Sequence, residues 1–435
     1  MRILHVSLGW PPFRTGGLVR YCCDLMDEQA KQGHTVGMLY PAGNSHRGHG
    51  HVSISQHGSI TSYALYTQNL VPLVFGVADP ESLDCSNDER AHQKVLDDFK
   101  PDVIHVHSIQ GIGESFFRLA KERGIRMVFT THDYYPFCLR CNLMDATGLL
   151  CAGPSPEKCA RCNIGSGLSV CKGMLMQSTG YRWLKGSRFI QQARTRVKAS
   201  VTARSEFAKV EPEEVQAFGA ALASHRRIIE MIDVVHANSK LAERVYRTAF
   251  PDAEYCAIPI THAGLELKKA KKVTHGPLRI GYVGGANEYK GYRVLLEALR
   301  KLDIDWTLDF YGTPLAKSDW HDKRIVCYGP YSPEKSEDVL SAMDILVVPS
   351  ICPETFGFVV LEALCCGTST ICSDAVGASE LIDGGCVFKA GDPESLADVL
   401  EVRAKSSAPS PSALERYPLS IQEQCVTIGA ALYEF

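Results

Sequence analysis

Short runs of apolar residues, each bounded by charged or turn-forming residues, recur along the chain and alternate with stretches of helical periodicity. Such runs are typical of strands buried in a parallel sheet. In the first part of the chain we predict strands within 1–8, 33–40, 102–107, 126–131 and 232–238. In the second part we predict them within 278–283, 306–311, 324–328, 345–348, 370–373 and 385–388. Strands and helices that alternate through short loops predict an α/β fold with open, doubly wound parallel sheets and right-handed crossovers.

Two interruptions of this pattern divide the chain. A Cys-, Gly- and Pro-rich insert occupies 134–172, a basic helical region follows over 175–230, and a lysine-rich segment at 268–272 marks a boundary. We therefore predict a first Rossmann-like domain at 1–266, a second at 267–411 and a helical tail at 412–435. The two domains are expected to face each other across a ligand-binding cleft. Residues 41–60, rich in Gly, His and Ser, are predicted to be a mobile loop.

Composition narrows the class of protein. The chain has 435 residues, of which 45% are hydrophobic and 22% charged, and its net charge is −3. This balance is ordinary for a soluble α/β protein and argues against a nucleic-acid partner. The chain contains no apolar run of about 18 residues, and its start is predicted to be a strand and not a signal peptide. An odd count of 17 cysteines, several in helix or strand patterns, fits a reducing cytoplasm.

The strongest candidate for chemistry is the stretch from Asp344 to Gly367. A buried strand leads through a polar loop into a helix that begins near Phe358. The unpaired amides and the dipole at the start of such a helix favour an anion such as a diphosphate. Glu354 lies in the loop and Glu362 in the helix, which suits a ligand with a negative middle and hydroxyl-rich ends, namely a nucleotide sugar. The alternative is an ordinary strand–helix unit with two solvated glutamates.

A glycine-bearing turn, Gly284 to Gly291, joins another predicted strand to a helix. Its adjacent glycines, Gly284 and Gly285, allow close approach of the backbone to a ligand, and Lys290 can place an ammonium group on a phosphate. The segment matches neither a P-loop nor a dinucleotide-binding fingerprint. Taken alone, it is better explained as a glycine turn with a surface lysine.

Together these segments resemble the family-four retaining glycosyltransferases of the GT-B fold. The matching pieces, in the family's order, are Gly16-Gly17, Gly33-His-Thr-Val, Pro101 to His107, Thr131-His-Asp133, Gly284 to Gly291, and Glu354 with Glu362 eight residues further on. They span nearly the whole chain. The glutamate pair with Phe356-Gly-Phe-Val-Val is the most specific of them, and the leading glycines are the least.

On the donor side, the resemblance implies that Glu354 lies by the sugar hydroxyls and that Glu362 accepts hydrogen bonds from the ribose. Lys290 would neutralise the charge that develops on the diphosphate. The distal phosphate and sugar would be held by three successive amides, those of Phe356, Gly357 and Phe358. The chain departs from many relatives at Gly285, where they have an arginine, and Arg293 is a possible replacement.

In the first domain, the resemblance implies that Gly17 helps to bind the donor, because it lets the first loop approach the diphosphate. His132 would lie near the reacting centre on the acceptor side, with Asp133 beside it. A histidine at a strand end is often only structural, but the carboxyl end of a parallel sheet favours function. We expect His105 to point away from His107, into packing.

The resemblance implies transfer of a hexosyl unit from a nucleotide sugar to a glycan or a lipid-linked glycan, with retention by same-face attack. No Asp-x-Asp-like motif marks a divalent-metal site beside the expected diphosphate position, so we expect no catalytic metal. Two alternatives stay open. One is a non-catalytic sugar-nucleotide-binding protein with a metal-stabilised module, and the other is a nucleotide-sugar epimerase.

The insert carries six cysteines within 34 residues, with two C-x-x-C units. They are Cys138, Cys141, Cys151, Cys159, Cys162 and Cys171. The spacing is typical of a structural zinc site, and the same thiolates suit an iron–sulfur cluster. Relatives with a similar insert suggest that Cys151 replaces Cys141 as the fourth ligand. Reduced, unliganded thiols are the alternative.

Between Arg182 and Lys209 the chain has eight basic residues and one acidic residue, interleaved with apolar ones. A basic helix with an apolar stripe suits the anionic inner face of a membrane and thus a lipid-linked acceptor. A solvated helix that packs on its own domain explains the pattern equally well.

Overall fold

A computed structural model gives the structure of the chain. It describes residues 1–45, 48–67, 69–83, 88–178, 180–181, 207–268, 276–313, 315, 322–405, 414, 417 and 420–434. The basic stretch predicted at 182–209 lies outside these residues except for its last three. Two compact units are present, one of Met1–Ala237, Glu243–Ile258 and Gln424–Phe435, the other of Asn238–Ala242 and Pro259–Glu423.

The first unit is built on an eight-stranded sheet. Its strands are β1 (Arg2–Val6), β2 (Thr35–Asn44), β3 (His51–His57), β4 (Ile60–Thr67), β5 (Val103–Val106), β6 (Arg126–Thr130), β7 (Val234–Ala237) and β8 (Tyr255–Ala257). Their order is β3-β4-β2-β1-β5-β6-β7-β8. Every neighbouring pair is parallel except β3 and β4.

Helices connect the strands of this part of the chain. They are α1 (Gly17–Lys31), α2 (Glu89–Phe99), α3 (Glu114–Glu122), α4 (Pro156–Asn163), α5 (Val170–Gln177), α6 (Pro212–Met231) and α7 (Lys240–Ala249). Several of them cover the sheet with an apolar face. In α3, for example, Phe116, Phe117 and Ala120 are completely buried while the opposite face carries Arg118 and Glu122.

The second unit is built on a six-stranded parallel sheet. Its strands are β9 (Leu278–Val283), β10 (Trp306–Tyr311), β11 (Ile325–Gly329), β12 (Ile345–Val348), β13 (Ser369–Ser373) and β14 (Val387–Phe388), in the order β11-β10-β9-β12-β13-β14. Its helices are α8 (Tyr292–Leu299), α9 (Ser336–Ser341), α10 (Phe358–Cys365) and α11 (Pro393–Ala404). The prediction of two Rossmann-like, doubly wound parallel sheets is therefore confirmed.

The last helix, α12 (Ile421–Ile428), continues into a π-helical turn, Gly429–Tyr433. The turn packs on the first unit, where Arg126 Nε donates to the carbonyl oxygen of Leu432 at 2.6 Å. Tyr433 is buried there. Among the described residues, no helix is both long and apolar enough to cross a bilayer.

The prediction of a mobile loop at 41–60 was wrong for the residues that the structure describes. The segment contains the end of β2 and all of β3, which pairs antiparallel with β4 from His51 opposite Tyr66 to His57 opposite Ile60. β3 is an edge strand in which, apart from Val52 and the half-buried His51, the residues are exposed. Its polar composition resembles that of a loop, because an edge strand needs little apolar burial.

Candidate functional site

Two loops of the second unit meet where its strand order reverses. β9 lies between β10 and β12, so the connections that leave β9 and β12 diverge and open a crevice at the carboxyl edge. The backbones of the two loops are joined, because Ile351 N–H donates to the carbonyl oxygen of Tyr289 at 2.9 Å. At Gly291 φ is +70°, and a side chain there would collide with the carbonyl group of Pro349. Glycine after Lys290 thus permits the two loops to pack.

An ion pair joins the two loops. Lys290 Nζ lies 2.8 Å from Glu354 Oε1, and the Ser350 hydroxyl donates to the same oxygen. The side chains are 33% and 16% exposed. Burial alone raises the pKa of Glu354, but the charge and hydrogen bonds of Lys290 and Ser350 outweigh it and bring the pKa below its ordinary value. Burial lowers the pKa of Lys290, but the negative charge and hydrogen bond of Glu354 outweigh this effect and raise the pKa above its ordinary value. Both groups are therefore charged at neutral pH.

The backbone at Glu354 is held from the other side by the segment after β13. Glu354 N–H donates to the carbonyl oxygen of Ala375 at 2.8 Å, and Gly377 N–H donates to that of Glu354 at 3.0 Å. Ala378 N–H donates to the carbonyl oxygen of Phe356 at 2.7 Å. These bonds position the Glu354 carboxylate through the main chain, before any ligand binds.

Helix α10 begins beside this ion pair. Gly357 is its N-cap at φ +100°, where a Cβ atom would lie 2.9 Å from Val376 Cγ1. No side chain caps the helix, and its first turn has no acidic residue. The first-turn amides and the helix dipole therefore favour a phosphate group at this end.

Glu362, one turn further into α10, has a partner that sequence reasoning missed. His262 Nε2 lies 3.0 Å from Glu362 Oε1, and the buried imidazole contacts the Phe358 ring at 5.3 Å between centroids. The other ring nitrogen lies 2.9 Å from the carbonyl oxygen of Ala263. His262 lies in a connection without periodicity or motif, so only its position in space reveals it.

The loop after β9 carries Gly285, the position where many relatives have an arginine. The Tyr282 hydroxyl donates to the Gly285 carbonyl oxygen at 2.9 Å, and a Cβ atom at Gly285 would lie 2.6 Å from Asn287 Nδ2. Arg293, the possible replacement for the missing arginine, pairs with Glu288 at 2.7 Å.

In the first unit, the loop after β1 lines a pocket of about 320 Å³. α1 starts at Gly17, with Gly16 as an N-cap that makes no side-chain hydrogen bond. Its wall mixes polar and apolar groups and includes five aromatic side chains, those of Trp10, Phe13, Tyr40, Phe75 and Tyr181. Its volume is at the small end of the range for ligand pockets. Sequence reasoning did not find it, because its lining comes from segments far apart in the chain.

His132 follows β6 at the carboxyl edge of the first sheet. Its Nε2 lies 3.1 Å from His107 Nδ1, and its ring contacts that of Tyr21 at 5.2 Å between centroids. Burial lowers the pKa of His132 to about 3, so the ring is neutral at pH 7. Burial raises the pKa of the neighbouring Asp133 to about 6, although Tyr135 N–H donates to its carboxylate.

The expectation for His105 was wrong. Residues two apart on a strand share a face, and the rings of His105 and His107 stack with centroids 4.3 Å apart. Together with His5 they form the one group of three potential metal ligands, among the described residues, whose ligand atoms all lie within 4.8 Å of one another.

The six cysteines of the insert divide into different environments. The Cys141 thiol is already engaged, since it donates to the carbonyl oxygen of Leu73 at 2.9 Å and accepts from Gln110 at 3.5 Å. Cys171 is exposed on α5. Cys159 and Cys162 are three residues apart on α4 and therefore share a face.

Four of the thiols influence one another. Burial raises the pKa of Cys159 to about 12, and the nearby Cys138, Cys162 and Cys151 add to the rise. Burial also raises the pKa of Cys138, against hydrogen bonds from the backbone amides of residues 140, 142 and 143. No three cysteine sulfurs of the insert, all of which is described, lie within 4.8 Å of one another. A single ion bound here would require side-chain rotation that draws the thiols together.

Apart from Gly17, the residues predicted for the donor side come together within the second unit. Lys290, Glu354, Gly357 and Glu362 lie on two joined loops and the start of one helix. Gly17 and His132 lie in the first unit, each after a strand at the carboxyl edge of its sheet.

Two family models match the chain. One described as Glycosyltransferase Family 4 matches residues 15–156, and one described as Glycosyl transferases group 1 matches residues 277–402. The first match contains Gly17 and His132, and the second contains Lys290, Glu354 and Glu362.

Individual proteins are also similar. A D-inositol 3-phosphate glycosyltransferase from Rhodococcus erythropolis is 34% identical over 111 residues, which are 25% of this chain and 21% of that protein. One from Corynebacterium jeikeium is 28% identical over 184 residues, 34% of this chain and 44% of that protein. The chain thus spans less than half the length of these curated relatives. The structure of Anabaena HepE in complex with UDP and glucose is similar in fold, with a TM-score of 0.54, 15% identity and coverage of 99% of this chain and 100% of that one. On the two family matches and the two Rossmann-like sheets, the chain belongs to the glycosyltransferases of family-four type with the GT-B fold.

Proposed function

We propose that the chain is a retaining glycosyltransferase that moves a hexosyl unit from a nucleotide sugar to a glycan or lipid-linked glycan. The observation that carries this proposal is the charged Lys290–Glu354 pair beside the uncapped start of α10. A cation and a helix N-terminus provide a binding site for a diphosphate, and an anchored carboxylate provides one for sugar hydroxyls.

The electrostatics of this site support the role of each group. In the unliganded chain Glu354 neutralises Lys290. A nucleoside diphosphate brings more negative charge than one carboxylate, so the ammonium group would contact it as well. Groups placed in this way stabilise charge as it grows on the leaving diphosphate. Glu362, held by His262, would accept hydrogen bonds from the ribose.

In the proposed reaction, the bond between the anomeric carbon and the diphosphate oxygen breaks, and its electron pair stays on that oxygen. The acceptor hydroxyl oxygen bonds to the anomeric carbon on the same face, and its proton passes to the departing diphosphate. Configuration is therefore retained. His132 would orient the acceptor hydroxyl, and the aromatic pocket of the first unit would hold the rest of the acceptor, because aromatic faces suit the apolar faces of sugars and lipid chains.

The first test is a panel of UDP-, GDP- and ADP-sugars, screened by the rise in thermal midpoint that a bound ligand produces. The UDP and glucose bound to HepE make UDP-sugars the first choice. Donor hydrolysis and transfer are then measured for Lys290→Ala and Glu354→Ala. We expect a loss of about 100-fold or more in kcat for each.

Lys301→Ala is the matched control, since it removes the same charge from the exposed pair with Glu394. The double variant Lys290→Met/Glu354→Gln guards against loss of folding, because it leaves no buried charge unpaired. Unchanged turnover in the folded variants would contradict the proposal. If the unaltered chain binds a sugar nucleotide without turning it over, it is the non-catalytic sugar-nucleotide-binding protein. If it releases an altered sugar nucleotide without any acceptor, it is the epimerase.

A structural metal in the insert forms a separate part of the proposal. We propose that Cys138, Cys151, Cys159 and Cys162 hold zinc or an iron–sulfur cluster, and that Cys141 does not take part. Sulfur donors suit both groups, and the backbone amides directed at Cys138 would stabilise its thiolate. The group would rigidify the loop that follows His132 and Asp133, without entering the reaction.

A further inference from the structure

A continuous series of hydrogen bonds runs through the interior of the first unit from His132 to the main chain after β8. We call these residues the histidine chain. In order, its links are His132 Nε2–His107 Nδ1 at 3.1 Å, His107 Nε2–His5 Nδ1 at 2.9 Å, His5 Nε2–Gln29 Oε1 at 2.7 Å, Gln29 Nε2–Tyr433 OH at 3.0 Å, Tyr433 OH–His105 Nδ1 at 2.6 Å, His105 Nε2–Thr130 Oγ1 at 2.6 Å, Thr130 Oγ1–His236 Nδ1 at 2.9 Å and His236 Nε2–Ile258 O at 2.7 Å.

The far end of the histidine chain determines where its protons lie. The carbonyl oxygen of Ile258 only accepts, so His236 must donate through Nε2. A neutral His236 then has an accepting Nδ1, to which Thr130 donates its hydroxyl proton. The Thr130 oxygen in turn accepts from His105 Nε2–H.

The same argument continues through the remaining links. His105 Nδ1 accepts from the Tyr433 hydroxyl, whose oxygen accepts from the Gln29 amide. The Gln29 carbonyl oxygen accepts from His5 Nε2–H, which leaves His5 Nδ1 to accept from His107 Nε2–H. His107 Nδ1 then accepts from His132 Nε2–H. The orientation that this order demands of Gln29, nitrogen toward Tyr433 and oxygen toward His5, is the one that the structure has.

The argument requires neutral histidines, and their surroundings make them so. His5, His105, His107 and His236 are completely or almost completely buried. Burial lowers the pKa of His5 and His236 to about 4 and that of His105 and His107 well below the ordinary value. The described residues that contact these rings contribute no carboxylate to the histidine chain, which is made of imidazole, amide and hydroxyl groups.

A metal ion on His5, His105 and His107 is the competing explanation, since their ligand atoms are close together. However, both nitrogens of each of the three rings already take part in a link of the histidine chain. Metal binding would break several of these links at once, so the hydrogen-bonded arrangement explains the geometry more fully.

We infer that the histidine chain holds His132 as the Nε2–H tautomer, with the lone pair on Nδ1, and that Gln29, Tyr433 and His236 act as positioning residues for it. The Nδ1 atom of His132 is then a hydrogen-bond acceptor and not a donor. This inference rests on the proposed function for the use of that acceptor, but the tautomer itself does not depend on any activity.

The direct test is long-range ¹H–¹⁵N correlation NMR on the full chain labelled with ¹⁵N-histidine at pH 7.5, without substrate. Single histidine variants assign the signals. All five histidines of the histidine chain are expected to be neutral Nε2–H tautomers. An Nδ1–H tautomer, an imidazolium or a metal-shifted signal at any of the five would overturn the inference, whether or not the protein transfers sugar.

A variant that interrupts the histidine chain tests whether its far end determines the tautomer of His132. Tyr433→Phe removes the link between Gln29 and His105, so the Gln29 amide can turn over and His132 becomes a mixture of two tautomers. The kcat of transfer should fall with the fraction of His132 that leaves the Nε2–H form, while the KM for the donor stays the same. Tyr63→Phe is the matched control, because that buried hydroxyl donates to Asp98 outside the histidine chain. A pure Nε2–H signal for His132 in Tyr433→Phe would contradict the positioning role.

Discussion

At the scale of single residues, His262 is the least obvious member of the proposed nucleotide site. It is buried and fixes one oxygen of Glu362 at 3.0 Å. Loss of this restraint would add a free-energy cost to ordering the carboxylate when a ribose binds. We therefore expect His262 to strengthen binding of a nucleotide at the proposed site.

We predict that His262→Leu weakens binding of a nucleoside diphosphate by about tenfold, because a hydrogen bond to a charged group contributes about 1.5–3 kcal/mol. His262→Gln, whose amide can still donate to Glu362, should restore most of the affinity. Titration calorimetry measures both. Equal dissociation constants for His262→Leu and the unaltered chain would rule out this positioning role.

Gly357 is the second decisive residue at this scale. Its φ of +100° is a conformation that L side chains rarely adopt, and a Cβ atom would press on Val376. We predict that Gly357→Ala lowers the free energy of unfolding by about 1–3 kcal/mol and weakens diphosphate binding, because the start of α10 must shift.

Gly384→Ala is the control for this prediction. It lies in the same unit, and a Cβ atom there would have nothing within 4 Å. Urea denaturation and a nucleotide titration of both variants give the comparison. If Gly357→Ala binds the diphosphate as well as Gly384→Ala does, the helix start is not part of the site.

Among the elements, the cysteine insert makes the sharpest prediction. Cys159 and Cys162 have pKa values raised by burial to about 12 and about 11, so their thiols are protonated at neutral pH without a metal. Metal binding must therefore release roughly one proton for each thiol that becomes a ligand. We predict this release when zinc is added at pH 7.5 to the metal-free chain, as measured by titration calorimetry in buffers of different ionisation enthalpy.

Variants identify the ligands. Cys138→Ser, Cys151→Ser, Cys159→Ser and Cys162→Ser should each lower the metal content, whereas Cys141→Ser and Cys171→Ser should not. Elemental analysis with a visible absorption spectrum separates zinc from iron–sulfur. A purified chain with neither metal, or one that loses metal in Cys141→Ser, would refute the proposed ligand set.

Regular elements were largely predictable from the sequence because most strands are buried on both faces. Val103–Val106 and Ile345–Val348 are fully buried and read directly as apolar runs. β3 was missed for the opposite reason, since an exposed edge strand has little apolar signal. The position of His105 was mispredicted although the sequence contains the information, because residues two apart on a strand share a face.

The site was only partly predictable. Lys290, Glu354 and Glu362 lie in segments whose pattern resembles a known family. The histidine chain joins residues up to 404 positions apart, as between Gln29 and Tyr433, and no local pattern encodes such contacts. Its histidines lie on strands or just after them, and nothing in their local sequence connects them.

At the scale of the whole molecule, the buried histidines make the first unit sensitive to acid. Burial lowers the pKa of His5, His225 and His236 to about 4 and of His92 and His132 to about 3. In the unfolded chain they take up protons near pH 6.5, whereas in the folded chain they do not until the pH nears 4. Their stabilisation is therefore present above pH 6.5 and is lost as the pH falls toward 4, by about 1.4 kcal/mol per pH unit for each histidine.

Asp133 acts in the opposite direction. Burial raises its pKa to about 6, so its contribution is present at low pH and is lost as the pH rises through 6. One carboxyl group offsets one histidine. We predict a fall in the unfolding temperature from pH 7.5 to 5.5, with uptake of roughly three or more protons on unfolding.

Scanning calorimetry across this pH range, in buffers of different ionisation enthalpy, measures both quantities. His225→Leu should reduce the proton uptake by about one, because it removes a buried histidine outside the proposed site. An unfolding temperature that does not change between pH 7.5 and 5.5 would show that these histidines are not held neutral.

The central claim is that the second unit binds the diphosphate of a sugar nucleotide with Lys290 and the start of α10. A crystal structure of the chain with a nucleoside diphosphate tests it most directly. We expect the distal phosphate within hydrogen-bonding distance of Lys290 Nζ and of the Gly357 and Phe358 amides, with the ribose on Glu362. A nucleotide bound elsewhere, with those groups uncontacted, would contradict the account.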